Sequence, residues 1–247
     1  MARMRLDLAL EARGLMPSRA RARDAILRGT VSVNGVAAAK PHQMVGHDDA
    51  IAVDDPASGY VSRAALKLIA GLDAGKLDVE GAVCLDLGAS TGGFTQVLLE
   101  RGAARVYAVD VGHGQLHGRV RADPSVISLD GVNARDLDGS LVPEPIDLLV
   151  CDVSFVSVLK VLEAPLLLCR PQANAVILIK PQFEVGRAFI GKGGIVSDHA
   201  AIAGAEAAVR QFFARSGWAE IVTLPSPING GDGNRETVGV FRRGGTA

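Results

Sequence analysis

Apolar runs alternate with helical stretches over most of the chain, and this alternation is the feature that most constrains the fold. Such an order is typical of a parallel sheet covered by helices. The last two runs are joined by a glycine-rich loop, SPINGGDGNR (226–235), which favours an antiparallel hairpin at one edge of the sheet. The seven predicted strands are AVCLDLG (82–88), RVYAVDV (105–111), VISLDG (126–131), IDLLVCDVS (146–154), NAVILIK (174–180), AEIVTLPSP (219–227) and ETVGVFRR (236–243).

Charge is spread unevenly, although 26 Lys and Arg nearly balance 27 Asp and Glu over the 247 residues. The first 46 residues are basic, and HDDAIAVDDPASGY (47–60) then reads as a short strand and a linker. We therefore predict a small α+β domain at residues 1–55, a linker at 56–61 and a large α/β domain at 62–247. The basic residues of the first segment are Arg3, Arg5, Arg13, Arg19, Arg21, Arg23, Arg28 and Lys40, against Asp7, Glu11 and Asp24.

The segment SRARARDAILRGTVSVNG (18–35) predicts a helix capped by Ser18, followed by a strand that turns at Asn34–Gly35. Arg19 and Arg23 are spaced i, i+4 and share one helix face. Such a helix suits phosphate groups of nucleic acid, although a merely solvated helix would explain the same charges. The arginines of this segment that we expect to contact RNA are Arg5, Arg19, Arg21, Arg23 and Arg28.

The cysteines and the apolar runs bear on the compartment. Cys84, Cys151 and Cys169 form no close pair and no metal-binding spacing, and two of them lie in apolar runs, where a buried free thiol is expected. The first residues lack the continuous apolar segment of a signal peptide, and no apolar run approaches the length of about 18 residues that spans a membrane. We therefore expect a cytoplasmic protein with no membrane partner and no metal. Because the sequence shows no heptad repeat and no obvious strand prone to association, we expect a monomer.

The stretch CLDLGASTGGFTQVLL (84–99) predicts a buried strand, a glycine turn and the start of a helix. A dinucleotide site would show G-x-G-x-x-G here, but in this chain Asp86 precedes Gly88. An acid at the strand end suits a cationic or hydroxyl-rich ligand better than a pyrophosphate. The second strand ends in Asp110, which is well placed for two ribose hydroxyls. An NAD site remains the alternative.

The glycine turn and Asp110 together resemble the S-adenosylmethionine site of Rossmann-like methyltransferases. The segment DGVNARD (130–136) follows the third strand, where such folds contact adenine, although a plain turn would look the same. The resemblance makes S-adenosyl-L-methionine the expected cofactor. Its expected contacts are Asp86, Gly88, Ala89, Ser90, Thr91, Gly92, Gly93, Phe94, Asp110, Asn133, Asp136 and Asp152.

Four polar residues stand at strand ends or on the helix before the first strand. Lys67 lies in SRAALKL (62–68), a predicted helix capped by Ser62, and Asp152 and Lys180 end the fourth and fifth strands. Glu236 begins the last strand. Because the carboxyl ends of parallel strands form the ligand crevice, we expect Asp152 and Lys180 to lie close together. A solvated lysine and an ordinary hairpin carboxylate are the alternatives for Lys67 and Glu236.

Together these four residues resemble the lysine–aspartate–lysine–glutamate tetrad of FtsJ-type RNA ribose 2′-O-methyltransferases. Residues 3–53 resemble the S4-like RNA-binding domain, which binds structured RNA. The whole chain is similar to the TlyA family, through YVSRAALKL, LDLGASTGGFT, CDVSF, IKPQFE, GKGGIV and GNRE. FtsJ relatives usually carry a proline in the glycine loop, where this chain has Thr91. That difference favours TlyA over the heat-shock ribosomal-RNA enzymes.

The resemblance implies transfer of a methyl group to the ribose 2′-hydroxyl of cytidine in ribosomal RNA, 16S, 23S or both. A 2′-hydroxyl is a poor nucleophile, so the site must orient it and remove its proton. We expect Lys180 to take this proton, Lys67 and Glu236 to place the ribose, and Asp152 to favour the cationic donor. Desolvation and the charge of Lys67 would favour a neutral Lys180, whereas the two carboxylates would oppose it.

The loop VGRAFIGKGGIVSDH (185–199) places Arg187 and Lys192 among glycines, where they could close over RNA or decorate a flexible connection. We expect both, and Arg63, to contact RNA. A non-catalytic ribosome-assembly factor and a haemolysin, a label the TlyA family has long carried, remain the competing functions. The intact strand-end residues argue against the first, and the lack of a predicted membrane span argues against the second.

Overall fold

The computed structural model describes residues 3–244 of the chain. They form two compact units, one up to Gly59 and the other from Tyr60 onward. In the first unit, two helices and short strands enclose a core of side chains that include Leu6, Leu10 and Ile26. The elements are β1 (Met4–Arg5), α1 (Leu6–Ala12), α2 (Arg19–Leu27), β2 (Val31–Val33), β3 (Val36–Ala37), β4 (Met44–Val45) and β5 (Ile51–Val53).

Two local predictions for the first unit are confirmed. Ser18 is the N-cap of α2, and its hydroxyl oxygen accepts a hydrogen bond from the Arg21 N–H at 3.3 Å. Strands β2 and β3 form an antiparallel hairpin whose turn residues, Asn34 and Gly35, have φ of 52° and 78°. Two left-handed residues are what a tight hairpin with the native strand twist requires, and Asn-Gly provides them at low cost.

The second unit contains one seven-stranded sheet, which confirms the predicted α/β class. Strands β6 to β10 are parallel, and β12 lies antiparallel between β10 and β11, as the glycine-rich loop predicted. The order across the sheet is β11-β12-β10-β9-β6-β7-β8. The strands are β6 (Val83–Leu87), β7 (Arg105–Asp110), β8 (Val126–Asp130), β9 (Ile146–Cys151), β10 (Cys169–Ile179), β11 (Trp218–Pro225) and β12 (Thr237–Arg243).

Helices connect most of these strands. Within residues 3–244, no helix combines the length and the apolar character that crossing a membrane requires. Short 3₁₀ helices occur at Ala134–Asp136, Val158–Lys160, Arg187–Phe189 and Lys192–Gly194. The α-helices are α3 (Ala65–Gly75), α4 (Gly93–Glu100), α5 (Gly118–Arg121), α6 (Glu163–Leu167), α7 (Pro181–Glu184) and α8 (His199–Arg215).

Alternate residues of the buried strands enter two different apolar layers. On β9, Leu148 and Val150 face one cluster, whereas Leu149 and Cys151 face the other. This division follows from the two-residue period of a strand, and it explains why the central strands read as continuous apolar runs rather than as an alternation. The two layers leave the strand ends as the natural place for polar side chains.

Three predicted boundaries differ from the structure. Ser62 does not cap α3, which begins at Ala65; the Ser62 hydroxyl accepts the Ala64 N–H inside the preceding turn. Strand β9 ends at Cys151 instead of residue 154, because the chain turns there through Phe155, whose φ is 66°. Strand β10 begins at Cys169 instead of residue 174, with an irregular register between these positions that apolar patterning does not reveal.

Candidate active site

The crevice of the second unit opens where the strand order reverses. Strand β6 lies between β7, which follows it in the chain, and β9, which is reached only after β8. At such a switch point the loops after two neighbouring strands leave in opposite directions and open a ligand site. A Cβ placed on Gly88, after β6, would lie 3.0 Å from the Val153 nitrogen and 3.1 Å from the Asp152 carbonyl carbon, after β9. Only glycine allows these two loops to approach so closely.

A cavity of about 460 Å³ occupies this crevice, a size that suits a small-molecule ligand. Its wall combines apolar side chains, such as Val109 and Val132, with a few polar groups. A smaller cavity of about 150 Å³ lies beside the glycine loop and is also lined by Lys180. Of the predicted cofactor contacts, Gly88, Ser90, Asp110, Asn133 and Asp152 line the larger cavity, and Ala89, Thr91, Gly93 and Phe94 line the smaller one.

Asp110, at the end of β7, is held as an acceptor for a diol. Its two carboxylate oxygens accept the N–H groups of Ser90, at 2.8 Å, and Gly112, at 2.7 Å. Each oxygen keeps a second lone pair, so the fixed carboxylate can accept two hydroxyl groups of a ribose. This fixed acceptor and the adjoining apolar wall fit the nucleoside part of S-adenosylmethionine.

Three predicted cofactor contacts lie outside the lining of both cavities. Asp86 is completely buried on β6, where its Oδ2 accepts the Thr95 hydroxyl at 2.6 Å, and burial raises its pKa to about 7. This bond joins the strand before the glycine loop to the helix after it. At Gly92, an added Cβ would meet Leu116. Asp136 is exposed at the end of its 3₁₀ helix. The sequence pattern placed these residues near the loop, but their side chains or backbone face elsewhere.

At the end of β10, the Lys180 ammonium lies close to three oxygen atoms. It lies 2.8 Å from Oδ1 of Asp152, 2.8 Å from the Ser154 hydroxyl and 3.2 Å from the Asp152 carbonyl oxygen. Only 6% of Lys180 is exposed. A buried ammonium is tolerated here because it donates hydrogen bonds to the Ser154 hydroxyl and the Asp152 carbonyl oxygen, and the nearby Asp152 carboxylate offsets its charge. The expected proximity of Asp152 and Lys180 is therefore present in the structure.

The other two tetrad residues form a second buried ion pair. Lys67 donates a hydrogen bond to Oε2 of Glu236, and both residues are buried. Helix α3 reaches this position because Gly71, one turn after Lys67, lets it pack directly on the sheet. A Cβ on Gly71 would lie 2.7 Å from Cγ1 of Val176 on β10 and 2.9 Å from Cγ1 of Val238 on β12. Solvated alternatives for Lys67 and Glu236 therefore do not hold.

The sheet register links the two ion pairs. Ile179 of β10 pairs with Thr237 of β12, so Lys180 and Glu236 are the next residues outward on adjacent antiparallel strands. Residues at such positions lie roughly 5 Å apart in their backbones. The structure thus brings all four predicted tetrad residues to one edge of the sheet, next to the smaller cavity.

Two residues of this edge were not predicted. Ser154 accepts a hydrogen bond from Lys180, and the next residue, Phe155, is 91% exposed with φ of 66°. A bulky residue in the left-handed region is strained, and such strain is concentrated at functional sites. Phe155 lines the larger cavity. The segment CDVSF gave no sign of this conformation, because propensity alone would not place phenylalanine at a positive φ.

In the first unit, several predicted RNA-binding arginines are engaged in ion pairs. Arg5 binds both carboxylate oxygens of Asp7, at 3.0 and 2.9 Å, and Arg19 binds the same carboxylate at 3.0 Å. Asp7 is 1% exposed, and its hydrogen bonds with Arg5 and then Arg19 lower its pKa to about 2. These contacts stabilise the fold of the unit. Arg5 therefore has a structural task, whereas half of the Arg19 side chain stays exposed.

Arg28 is even more fully engaged. Its guanidinium binds both oxygens of the buried Asp55 at 2.7 Å each, and its Nε binds Asp24 at 2.9 Å. Contact with RNA would require these bonds to break, so the placement of Arg28 does not support the predicted RNA contact. The reason is the bidentate match between a guanidinium and a carboxylate.

The remaining predicted RNA contacts differ in exposure. The Arg21 guanidinium donates to the Ala57 carbonyl oxygen at 2.7 Å, whereas Arg23 is exposed on α2. In the second unit, Arg63 is half-buried, and Arg187 and Lys192 are exposed, each in a short 3₁₀ helix. Arg23, Arg187 and Lys192 are thus the predicted residues most open to a phosphate group.

All three cysteines are buried and free, which confirms the prediction for the two in apolar runs and extends it to the third, and burial raises their pKa values. Among residues 3–244, no group of three or more His, Cys, Asp or Glu side chains is arranged to hold a metal ion.

Comparison with known proteins gives two family matches. Residues 60–243 match the family described as FtsJ-like methyltransferase, and residues 4–51 match the S4 domain. The first match covers most of the chain and contains every element of the crevice described above.

Individual relatives extend over the whole chain. The 16S/23S rRNA (cytidine-2′-O)-methyltransferase TlyA of Mycobacterium tuberculosis is 43% identical over 235 residues, which are 95% of this chain and 88% of that protein. Hemolysin A of Brachyspira hyodysenteriae is 40% identical over 96% of this chain and 99% of its own length. A solved structure named as a candidate hemolysin, from Streptococcus thermophilus, aligns with a TM-score of 0.76 at 34% identity and covers 100% of this chain and 90% of that one.

Proposed function

The chain belongs to the FtsJ-like methyltransferase family, in its TlyA branch, and from this premise we propose that it methylates the ribose 2′-hydroxyl of cytidine in ribosomal RNA, 16S, 23S or both. The observation that carries the proposal is the pairing of buried Lys180 with Asp152 at the carboxyl ends of the strands, where Asp152 lines both cavities and Lys180 lines the smaller one. The name of the M. tuberculosis relative supplies the substrate class. A binding protein without catalysis has no need to bury a lysine at this edge, since burial costs free energy.

The cofactor of this reaction is S-adenosyl-L-methionine, which when bound supplies a methyl group on a positively charged sulfur. Asp110 would hold its ribose, and Asn133 and the neighbouring apolar wall would face its adenine. The glycine loop would allow its methionine part to approach the backbone. Asp152, adjoining both cavities, would favour its positive charge.

Lys180 takes the proton of the 2′-hydroxyl as the oxygen bonds to the methyl carbon. For this task its nitrogen must offer a lone pair instead of three N–H donors. The two acceptor atoms of Asp152 can only accept hydrogen bonds, whereas the Ser154 hydroxyl can turn and donate one. Ser154 is therefore the partner that can accommodate a neutral Lys180. The cofactor sulfur would keep the electron pair of the broken carbon–sulfur bond, and the proton would stay on Lys180.

The other edge residues orient the nucleotide. The Lys67–Glu236 pair presents a donor and an acceptor in fixed positions, which suits the hydroxyl groups of a ribose. Phe155 offers an exposed ring at the rim of the larger cavity, where a nucleobase can stack. The S4 domain, through exposed side chains such as Arg23, binds a structured part of the RNA. Ribosomal RNA as the substrate implies a cytoplasmic location.

The test is transfer of labelled methyl from S-adenosylmethionine to ribosomal subunits that lack the modification. Wild type is compared with Lys180→Ala, and nuclease digestion identifies the labelled nucleoside. We expect 2′-O-methylcytidine with the wild type and a loss of about 100-fold or more in the variant. Lys76→Asn is the matched control, because Lys76 is an exposed lysine of the same unit, at the C-cap of α3.

Two outcomes would contradict the proposal. If the wild type binds S-adenosylmethionine but labels neither subunit, ribosomal RNA is not the substrate. That result would favour the alternative of a non-catalytic ribosome-assembly factor. If Lys180→Ala transfers methyl at the wild-type rate, the reaction stands and another group takes the proton.

A lytic function is the second candidate, since relatives carry the name hemolysin. Lysis of erythrocytes by wild type and by Lys180→Ala, measured side by side, separates that function from methyl transfer.

A further inference from the structure

The loop that carries Phe155 is held by a second segment of the chain. We define the rim loop as residues 152–158 and the clasp segment as residues 180–184, which follow β9 and β10. At the first end of the rim loop, Lys180 donates to the Asp152 carbonyl oxygen and to the Ser154 hydroxyl. Lys180 is already part of the tetrad, so this end of the loop is fixed by the site itself.

At the other end, the partner is Glu184, which the tetrad does not include. One carboxylate oxygen of Glu184 accepts the Ser157 hydroxyl at 2.6 Å, and the other accepts the Val158 N–H at 2.8 Å. Burial raises the pKa of Glu184, so keeping its charge in this place costs free energy. Two converging donors offset that cost.

Between these two ends, the rim loop and the clasp segment meet through aromatic rings. The ring centroids of Phe155 and Phe183 lie 5.4 Å apart at an interplanar angle of 51°, within the range of favourable aromatic pairs. Phe155 has a φ of 66°, yet 91% of it is exposed. Few contacts of its own can hold this strained backbone, so it persists only if the ends of the loop are fixed.

We propose that Glu184 is a positioning residue for the target nucleotide, because it fixes the rim loop so that Phe155 faces the target base and Ser154 stays bonded to Lys180 beside the reacting ribose. The proposal rests on the function proposed above and extends it to a residue outside the tetrad. Glu184 acts through Ser157 and Val158, so it touches neither the cofactor nor the reacting atoms. Its loss should therefore lower RNA turnover far more than it weakens cofactor binding, because Lys180 holds the Asp152 end of the loop independently.

The experiment compares Glu184→Ala with Glu184→Gln. A glutamine can accept the Val158 N–H through its carbonyl oxygen and donate to the Ser157 hydroxyl through its nitrogen, so it preserves both contacts. We expect kcat/KM for ribosomal RNA to fall about 10- to 100-fold in Glu184→Ala and to stay near wild type in Glu184→Gln. The dissociation constant for S-adenosylmethionine should change much less than kcat/KM in Glu184→Ala and stay at the wild-type value in Glu184→Gln. Glu163→Ala, at an exposed glutamate of the same unit, is the control.

Hydrogen exchange of the Val158 amide directly measures the hydrogen bond between Val158 and Glu184. It should accelerate in Glu184→Ala and keep its protection in Glu184→Gln. If Glu184→Ala fails to fold, Ser157→Ala replaces it, since this change removes one of the two bonds, and an intermediate loss of turnover is expected. Wild-type turnover in Glu184→Ala or in Ser157→Ala, together with accelerated exchange at Val158, would overturn the proposal. A wild type that methylates no ribosomal RNA would instead overturn the proposed function, whatever the exchange at Val158.

Discussion

The two units of this chain both bury carboxylates against cations, but they use different cations. In the first unit, Arg5 and Arg28 each bind an almost completely buried aspartate through two parallel hydrogen bonds. In the second unit, the buried partners are lysines, Lys67 with Glu236 and Lys180 with Asp152. A guanidinium stays charged and fits a carboxylate through a rigid fork, whereas an ammonium is a point charge that can give up a proton.

This difference between arginine and lysine pairs suits them to different tasks, the first to stabilising the fold and the second to proton transfer. A permanent bidentate pair is suited to holding two chain segments together, as Arg28 does with Asp55 after strand β5. A lysine pair is less specific in geometry and can change its protonation, which a proton transfer requires. Buried charge by itself is therefore no sign of catalysis in this protein; under the proposed function, the kind of cation and its place at a strand end distinguish the two kinds of pair.

The variant Lys180→Arg tests this difference between arginine and lysine pairs most directly. The variant keeps the positive charge and can still pair with Asp152, but an arginine does not release a proton in a protein. We expect methyl transfer to fall about 100- to 10,000-fold, with S-adenosylmethionine binding retained, as measured by single-turnover assays and calorimetry. Lys76→Arg, an exposed lysine, should leave both unchanged. Activity near wild type would mean that charge and not proton transfer is what Lys180 provides.

The reciprocal exchange in the first unit is Arg28→Lys. A lysine can keep one of the two bonds to Asp55 but not the fork, so the free energy of unfolding should fall by about 1–3 kcal/mol. Urea unfolding and hydrogen exchange of α2 measure this loss. Arg23→Lys, exposed on the same helix, should change the free energy by less than about 0.5 kcal/mol. Equal effects of the two variants would mean that the Arg28 pairs contribute nothing specific.

Smaller effects of opposite sign are expected from pH. The folded pKa of Asp7 is about 2, below its ordinary value, so its stabilisation is complete above about pH 4 and is lost as the pH falls toward 2. The folded pKa of Asp86 is about 7, above its ordinary value, so its contribution is complete below about pH 4 and is lost as the pH rises through 7. Asp7→Asn should flatten the first dependence, and Asp86→Asn the second, in urea unfolding between pH 2 and 8. A slope unchanged in either variant would assign that dependence to other groups.

The sequence predicted the sheet, the hairpin and the strand-end positions of Asp152 and Lys180 from local pattern, whereas the tetrad with Lys67 and Glu236 came from the family resemblance. Apolar runs predict strands by their period, and a polar residue directly after such a run must lie at a strand end. The arginines of the first unit could not be judged in the same way. Arg5, Arg23 and Arg28 look alike in the sequence, and only their spatial neighbours, such as Asp55, separate a structural arginine from an exposed one.

The sequence by itself thus determined the fold class, the family and the end of the sheet where the proposed chemistry is placed. Only the tertiary structure decided which carboxylate each cation binds, that Asp86 is buried and accepts the Thr95 hydroxyl, and that Phe155 stands exposed with a positive φ. The physical reason is that secondary structure and burial follow from short-range periodicity. Ion pairing and strain depend instead on residues far apart in the chain, which only the packed fold brings together.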